Sequence, residues 1–598
     1  MMNRFLNFLA LVAFVAIPAT AQTAENASAE ESEAPALPAW QWDESDPRIG
    51  LATGIDDAGE AISNLSHLAH MPRPEGFTLA DEEQGGRMAN TDLAFRDNYA
   101  FVGNYGGINV YDISNPSKPT LEVSIVCPGG QGDVSVYGNL LFMSAQETRG
   151  RIDCGASGVE EEVSDERFRG VRIFDISDMK RPRQVAAVQT CRGSHTHTLV
   201  TDLARPDERV YVYVSGTSRP RPGEELAGCV TTNDPNEDPN TSYFRIEVIE
   251  VPLDRPQDSK VVNEPRIFET DGNIAGLWQG GDHGPGTQRS RMTTQCHDIT
   301  AYPALGLAGG ACAGNGILLD ISDPANPVRT DEVVDPNFSY WHSATFNNDG
   351  TTVLFTDEWG GGNAPRCQGT DLPHWGANAM FKYRNGEMTL AGYYKLPAPQ
   401  TADENCVAHN GSLIPVPGRD IKVQAWYQGG MSIFDFTDPA NAYEIAFFDR
   451  GPISTTERLT GGFWSTYWYN GAIYGSEIVR GFDVFELKPS DHLTQNEIDA
   501  AKLVTLDQFN PQNQDLITWP THPTVAKAYA DQLVRAKAMS RDDADALSAA
   551  LDAGNGSVMQ ATATMQEHAA LASMGSGDTG HHNAVRVRLA NLLRELAD

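Results

Sequence analysis

The apolar and polar positions of this chain keep repeating one short phrase, an apolar-rich run that ends on an acidic residue and breaks into a turn. It reads Tyr111-Asp112-Ile113-Ser114-Asn115-Pro116, then Phe174-Asp175-Ile176-Ser177-Asp178, Leu319-Asp320-Ile321-Ser322-Asp323-Pro324 and Phe434-Asp435-Phe436-Thr437-Asp438-Pro439. The turn has a mechanism: Asp or Asn bonds its own backbone, and proline presets φ. Three weaker copies, Ile249-Glu250-Val251-Pro252, Phe381-Lys382-Tyr383 and Phe482-Asp483-Val484-Phe485, fill the gaps. The register positions are then 112, 175, 250, 320, 382, 435 and 483, about 62 residues apart. Such an interval holds four short strands and a long loop. Alternation rich in Val, Ile, Tyr and Phe excludes helical repeats, and a parallel β-helix needs a shorter period. The pattern predicts an all-β, seven-bladed β-propeller over residues 76–488, its strand edges protected by closure.

The flanks carry other patterns. Leu51, Ile55, Ile62, Leu65 and Leu68, ending at Pro72, predict a partly helical N-terminal arm over 46–75 that packs on the propeller. After Pro489, Thr494 and Glu497 form a capping box before Ile498. Segments 524–539, 541–553, 558–574 and 584–596 are rich in Ala, Leu, Arg and Glu, so 489–598 reads as a small helical C-terminal domain. Residues 22–45, rich in Ala, Glu, Ser and Pro, read as a disordered linker. Residues 1–21 read as a signal peptide, with Arg4, an apolar stretch from Phe5 to Ile17, and Ala19-Thr20-Ala21 as a cleavage site.

Composition narrows the partners. A formal net charge of −36 argues against nucleic acid and anionic membranes. No other segment is long and apolar enough for a membrane span. The expectation is a secreted or periplasmic protein cleaved after Ala21. In that compartment eight cysteines are read as disulfides before thiolate metal sites.

The repeated Asp-Ile-Ser-Asp/Asn-Pro phrase resembles the LVIVD-repeat family of exported bacterial proteins. Cys296-His297-Asp298-Ile299, Tyr340-Trp341-His342-Ser343-Ala344-Thr345, Phe355-Thr356-Asp357-Glu358-Trp359 and Val407-Ala408-His409-Asn410-Gly411 are similar to stretches of the same family. The resemblance implies a β-propeller and says little about activity. A more distant likeness, in architecture and channel histidines, is to the selenium-binding-protein and methanethiol-oxidase propellers; it is an analogy of fold.

Aligning the strand that opens each unit puts His197, His297, His342 and His409 at one register position in four consecutive units. Units 1, 2 and 7 put Thr91-Asp92, Gly132-Asp133 and Trp464-Ser465 there. In a propeller the opening strand lines the central channel, so an arc of imidazoles is expected at one mouth. Second strands end on the same face and offer Glu147, Asp357, Glu358 and Glu477, with Glu358 and Glu477 the carboxylates expected to take part in chemistry. Histidines with a carboxylate suit a divalent transition metal such as Zn, Cu or Fe with an open position; hydrogen-bonding histidines in a wet channel are the alternative. His195 reads as a supporting or loop residue.

Cys127, Cys191, Cys296 and Cys406 lie just before opening strands, and Cys154, Cys229, Cys312 and Cys367 in loops after second strands. Those loops share a face, which predicts the pairs Cys127–Cys154, Cys191–Cys229, Cys296–Cys312 and Cys367–Cys406. Trp341, Trp359, Trp375, Trp426, Phe463 and Trp464 lie near the same register and are candidates to wall a pocket. Asp234 to Asn240 alternates oxygen donors but lacks the glycine and terminal glutamate of an EF-hand, so it reads as a solvated acidic loop. No GxSxG, HExxH or P-loop is present. Two functions remain. One is a metal-dependent enzyme, or metal-binding protein, taking a small molecule or protein ligand at the channel mouth. The other is a non-enzymatic extracellular propeller that binds protein or glycan through its loops. Metal content of protein from the native compartment separates them.

Overall fold

The computed structural model describes residues 42–78, 88–456, 459–575 and 580–597. The signal-peptide expectation, and most of the linker expectation, lie outside these residues. From residue 90 the chain folds into successive antiparallel meanders, each with its strands in chain order. The first is Asn90–Arg96, Tyr99–Asn104, Gly107–Asp112 and Thr120–Val126; the second Val134–Tyr137, Leu140–Ala145, Gly170–Asp175 and Arg183–Gln189. The third is Thr198–Thr201, Arg209–Val214, Glu247–Pro252 and Lys260–Asn263; the fourth Asp298–Tyr302, Leu307–Cys312, Asn315–Asp320 and Val328–Val333; the fifth Trp341–Phe346, Thr352–Asp357, Asn378–Arg384 and Glu387–Tyr394. A nine-stranded sheet follows. It joins the run Asn410–Ile414, Ile421–Ala425, Met431–Asp435, Tyr443–Arg450 to the run Phe463–Tyr469, Ala472–Glu477, Gly481–Leu487. The seam is a short parallel contact of Asn410 and Gly411 with Ser465 and Thr466.

This is a β-propeller. Opening strands stand beside those of neighbouring meanders, and Phe463–Tyr469 meets Asn90–Arg96, closing the ring. Apolar side chains fill the spaces between sheets; Leu93, Phe95 and Tyr111 of the first pack with Tyr467, Tyr474 and Phe482 of the last.

The repeated phrase occupies the third strand of each meander and the turn after it. In the four full copies the acidic residue takes the same bond: Ser114 N to Asp112 Oδ1 at 2.8 Å, Ser177 N to Asp175 Oδ1 at 2.9 Å, Ser322 N to Asp320 Oδ1 and Thr437 N to Asp435 Oδ1 at 2.8 Å. One turn chemistry, reused, is why the sequence repeats.

The expected helix in the N-terminal arm is not formed. Glu60–Ser63 and Leu65–Pro72 are strands. The first pairs with Tyr443–Arg450, and the second pairs with Gly481–Leu487 as the outer strand of the last meander. An open sheet edge offers a ladder of backbone bonds that a weak helical periodicity cannot match. Asp483 anchors this strand, accepting from His67 Nε2 and His70 Nδ1 at 2.9 Å and from both terminal nitrogens of Arg450 at 2.8 and 2.9 Å.

Beyond Leu487 the expected helices form: Gln495–Ala501, with its capping box, then Pro523–Arg535, Arg541–Asp552, Gly556–Gly575 and His581–Ala597. Buried Glu497 ties the first helix to the propeller through Arg419 at 3.0 Å and to the second helix through Arg535. The segment between the first two helices is extended instead, and it straps the far ends of the opening strands. Gln508 and Phe509 pair with Arg96 and Phe95. Asn510 brackets the Val136 backbone at 2.6 and 2.8 Å, Asn513 donates to Thr201 Oγ1 at 3.1 Å, and Gln514 brackets Phe346 at 3.1 and 2.8 Å. Side-chain amides here satisfy strand-end backbone groups that would otherwise be buried unpaired. Among the described residues no helix is long and apolar enough to cross a membrane.

Candidate functional site

The starts of the opening strands, opposite the strap, carry the histidines. His297 and His409 immediately precede Asp298–Tyr302 and Asn410–Ile414, and His342 is the second residue of Trp341–Phe346. Stacking the meanders brings these imidazoles together, with ring centroids 3.9 Å apart for His297 and His342 and 4.2 Å for His342 and His409. Glu358, one residue past Thr352–Asp357, reaches the same point. Its Oε2 lies 3.7 Å from His342 Nε2 and its Oε1 3.8 Å from His409 Nε2. Tyr427 donates its hydroxyl to Glu358 Oε1 at 2.5 Å. Two overlapping groups, His342 with Glu358 and His409, and His297 with Asp298 and His342, have ligand atoms within 4.8 Å of one another and could hold a metal ion.

Three sequence expectations about this cluster change. His195 belongs to it: its Nε2 lies 2.8 Å from His297 Nε2. His197 turns away, with Nδ1 2.8 Å from Ser144 Oγ and 3.5 Å from Asp133 Oδ2. The stretch before Thr198 is irregular, with the Ser194 hydroxyl bonded to Thr196 O at 2.9 Å, so strand alternation does not extend to these two histidines. Glu477 is not brought to the cluster. It accepts the amides of Gly462 at 2.9 Å and Val479 at 2.8 Å, together with Arg480, and so shapes a turn. Asp357 likewise accepts three backbone amides, of Ser339, Tyr340 and Gly376. Tyr427 went unseen in the sequence. It sits in a turn at φ 53°, a conformation costly for a non-glycine residue and common at functional positions, and no register position marks it.

The electrostatics follow from burial. Desolvation, with its histidine neighbours, pulls His342 well below the ordinary imidazole range and His409 down to about 3, so both are neutral. Burial acts the same way on His195. On His297 burial is outweighed by Asp298, bonded to Nδ1 at 2.9 Å, and by Glu358, and the imidazole is pushed up. Burial raises the Glu358 carboxyl to about 7 against the pull of His297 and Tyr427. Neither nitrogen of His342, nor Nε2 of His409, has a hydrogen-bond partner, although both side chains are fully buried. Neutral imidazoles with exposed lone pairs and no partner are what a metal ion satisfies.

Above the cluster opens a cavity of about 820 Å³ walled by His195, His297, Tyr340, Glu358, Tyr427 and Trp464, with Arg289 and Arg291 on its lining. The cysteines pair as the loop positions predicted: Cys127–Cys154, Cys191–Cys229, Cys296–Cys312 and Cys367–Cys406. Cys296, next to His297, is therefore committed to a sulfur partner and is no metal ligand.

Solved structures similar in fold include a periplasmic gluconolactonase of Pseudomonas aeruginosa, 12% identical with a TM-score of 0.39 over 66% of this chain and 97% of that one. Hydrazine synthase of Kuenenia stuttgartiensis matches at 12% identity and a TM-score of 0.38, over 63% of this chain and 89% of that one. A protein from Lactobacillus plantarum matches at 12% and 0.36, over 60% and 82%. No curated protein matches the chain. Within the chain itself, residues 86–126, which take in the whole first meander, match the family model of the LVIVD repeat.

Proposed function

We propose that this protein is an exported, seven-bladed propeller that holds a divalent transition metal at one channel mouth and acts on a small molecule in the cavity above it. The nine-stranded sheet counts as two blades in this reading: the last is completed to four strands by Leu65–Pro72, and the one before it, already four-stranded, gains Glu60–Ser63 at its edge. Four disulfides fit an oxidising compartment outside the cytoplasm.

One observation carries the reading: His342 is fully buried, has no partner on either nitrogen, and lies 3.7 Å from Glu358 in a group that also contains His409. His342, His409 and Glu358 would hold the ion, with His297 beside them. When bound, a transition ion supplies a Lewis-acidic centre at the cavity floor. The chain supplies the rest. Tyr427 fixes the Glu358 carboxylate by its hydroxyl bond. Asp298 holds His297 by Nδ1, leaving Nε2 toward His195 and the cavity, where the pair can take up or release a proton. Trp464 and Tyr340 wall the pocket with apolar surface that limits water.

The test is metal content. Protein from its native compartment, or apo-protein titrated with Zn²⁺, Cu²⁺ or Fe²⁺, is expected to bind a transition ion stoichiometrically. His342→Ala is expected to abolish most of that binding, and His197→Ala to leave it. Wild-type protein that takes up none of the three, or a His342→Ala protein that binds as much as wild type, overturns the proposal.

A further inference from the structure

Deeper in the channel lies a second polar cluster, made of different chemistry. Asp92 and Asp133 occupy in the first two meanders the position that Asp298 occupies in the fourth. Their side chains meet across adjacent opening strands, and both are buried, at 1% and 2% exposure. Asp92 Oδ1 accepts the Tyr467 hydroxyl at 2.5 Å and Oδ2 accepts Gln512 Nε2 at 3.1 Å. Asp133 Oδ2 accepts the amide of His197 at 3.1 Å, while its Oδ1 has no partner. Among the described residues no lysine or arginine forms a salt bridge with either carboxylate. Burial, their mutual contact and Asp298 all disfavour their charged forms.

Gln512 is the second, independent sign. It belongs to the strap, is only 3% exposed, and reaches up from the far mouth to place its amide against Asp92, yet its Oε1 has no partner. A buried amide oxygen and a buried carboxylate oxygen without partners, in a cluster with no lysine or arginine against its two carboxyls, carry a desolvation cost that a cation held by these oxygens offsets. The unengaged donor atoms at the cluster are oxygens, of two carboxylates, an amide and a phenol; His197 Nδ1 also lies 3.5 Å from Asp133 Oδ2 but is bonded to Ser144 Oγ. No sulfur is present. Oxygen-only donor sets select hard cations over the softer ions that histidine clusters favour.

We propose that Asp92, Asp133 and Gln512, with Tyr467, form a binding site for a hard divalent cation of the calcium class inside the channel. It is separate from the histidine site and stands or falls without it. The ion ties the strap to the first, second and last meanders, which makes it a structural clasp.

The test is titration of chelator-treated full-length protein with Ca²⁺, read by calorimetry and by thermal unfolding. Wild type is expected to bind one Ca²⁺ with a Kd between about 10⁻⁶ and 10⁻³ M and to unfold at higher temperature with it. Asp133→Asn is expected to weaken Ca²⁺ binding at least about tenfold. Gln512→Leu, a milder change should the aspartate variant fail to fold, is expected to weaken it as well and to shrink the thermal shift. His342→Ala is expected to leave Ca²⁺ affinity within about twofold of wild type while removing the transition metal. The proposal is overturned if wild type shows neither calcium heat nor thermal shift, the result for two carboxyls that share a proton. It is also overturned if both variants bind Ca²⁺ as wild type does.

Discussion

At the scale of single residues, the interior of this propeller carries charge-bearing groups that folding strips of water. Lys422, inside Ile421–Ala425, is fully buried, its Nζ has no hydrogen-bond partner, and burial pulls its amine down to about 7. In the unfolded chain that amine titrates near its ordinary 10.5. Between those values the unfolded chain binds the extra proton, so stability rises with pH through the window, and the penalty is complete below about 7. Lys422→Met is therefore expected to stabilise the protein by on the order of a few kcal/mol at pH 6, with the gain vanishing toward pH 10. Denaturant melts at the two pH values check it. Tyr427→Phe removes the hydroxyl from Glu358, leaving that buried carboxyl without this bond. Weaker transition-metal binding, by roughly tenfold, is the expected readout in a metal titration. His297, His342 and His409 were legible in the sequence because strand register repeats from unit to unit. The exchange of His197 for His195 was not, since register ends where the strand does and loop hydrogen bonds decide the rest. Glu477 failed for a related reason: a carboxylate near the right face found backbone amides first.

At the scale of elements, the turn phrase was readable because one side-chain-to-backbone bond recurs. The N-terminal arm was misread because its partner lies more than 400 residues away, Leu65 opposite Leu487, and local periodicity carries no trace of a distant open edge. That strand hangs on Asp483, whose carboxyl, despite burial, is held below the ordinary carboxylate range by His67, His70 and Arg450. Its contribution is present above the unfolded value near 3.8 and is lost as pH falls below it. Asp483→Asn leaves Arg450 buried beside a neutral amide. The expected cost is about 3–5 kcal/mol, and the strand Leu65–Pro72 should become the first site of proteolytic cleavage. Limited proteolysis followed by mass mapping tests this; cleavage elsewhere first would count against the strand's dependence on Asp483.

At the scale of the whole molecule, the cysteines were legible for a topological reason: a propeller sends alternate loops to one face, so loop class together with nearness along the chain selects partners. The crosslinks close loops of 27, 38, 16 and 39 residues, worth about 3–4 kcal/mol each by loop entropy. Reduction is expected to lower the unfolding temperature markedly, with thiol labelling reporting how many bridges remain. The extended stretch from Gln508 to Ile517 was not legible, because its Asn and Gln residues read as an ordinary linker until the strand ends they satisfy are in view. Yet that stretch decides how molecules travel. It turns a pipe into a cup. Whatever settles above the histidines must leave by the opening it entered, past Trp464 and Tyr427, before a successor can arrive. If the site turns substrate over, departing product and arriving substrate contend for a single doorway.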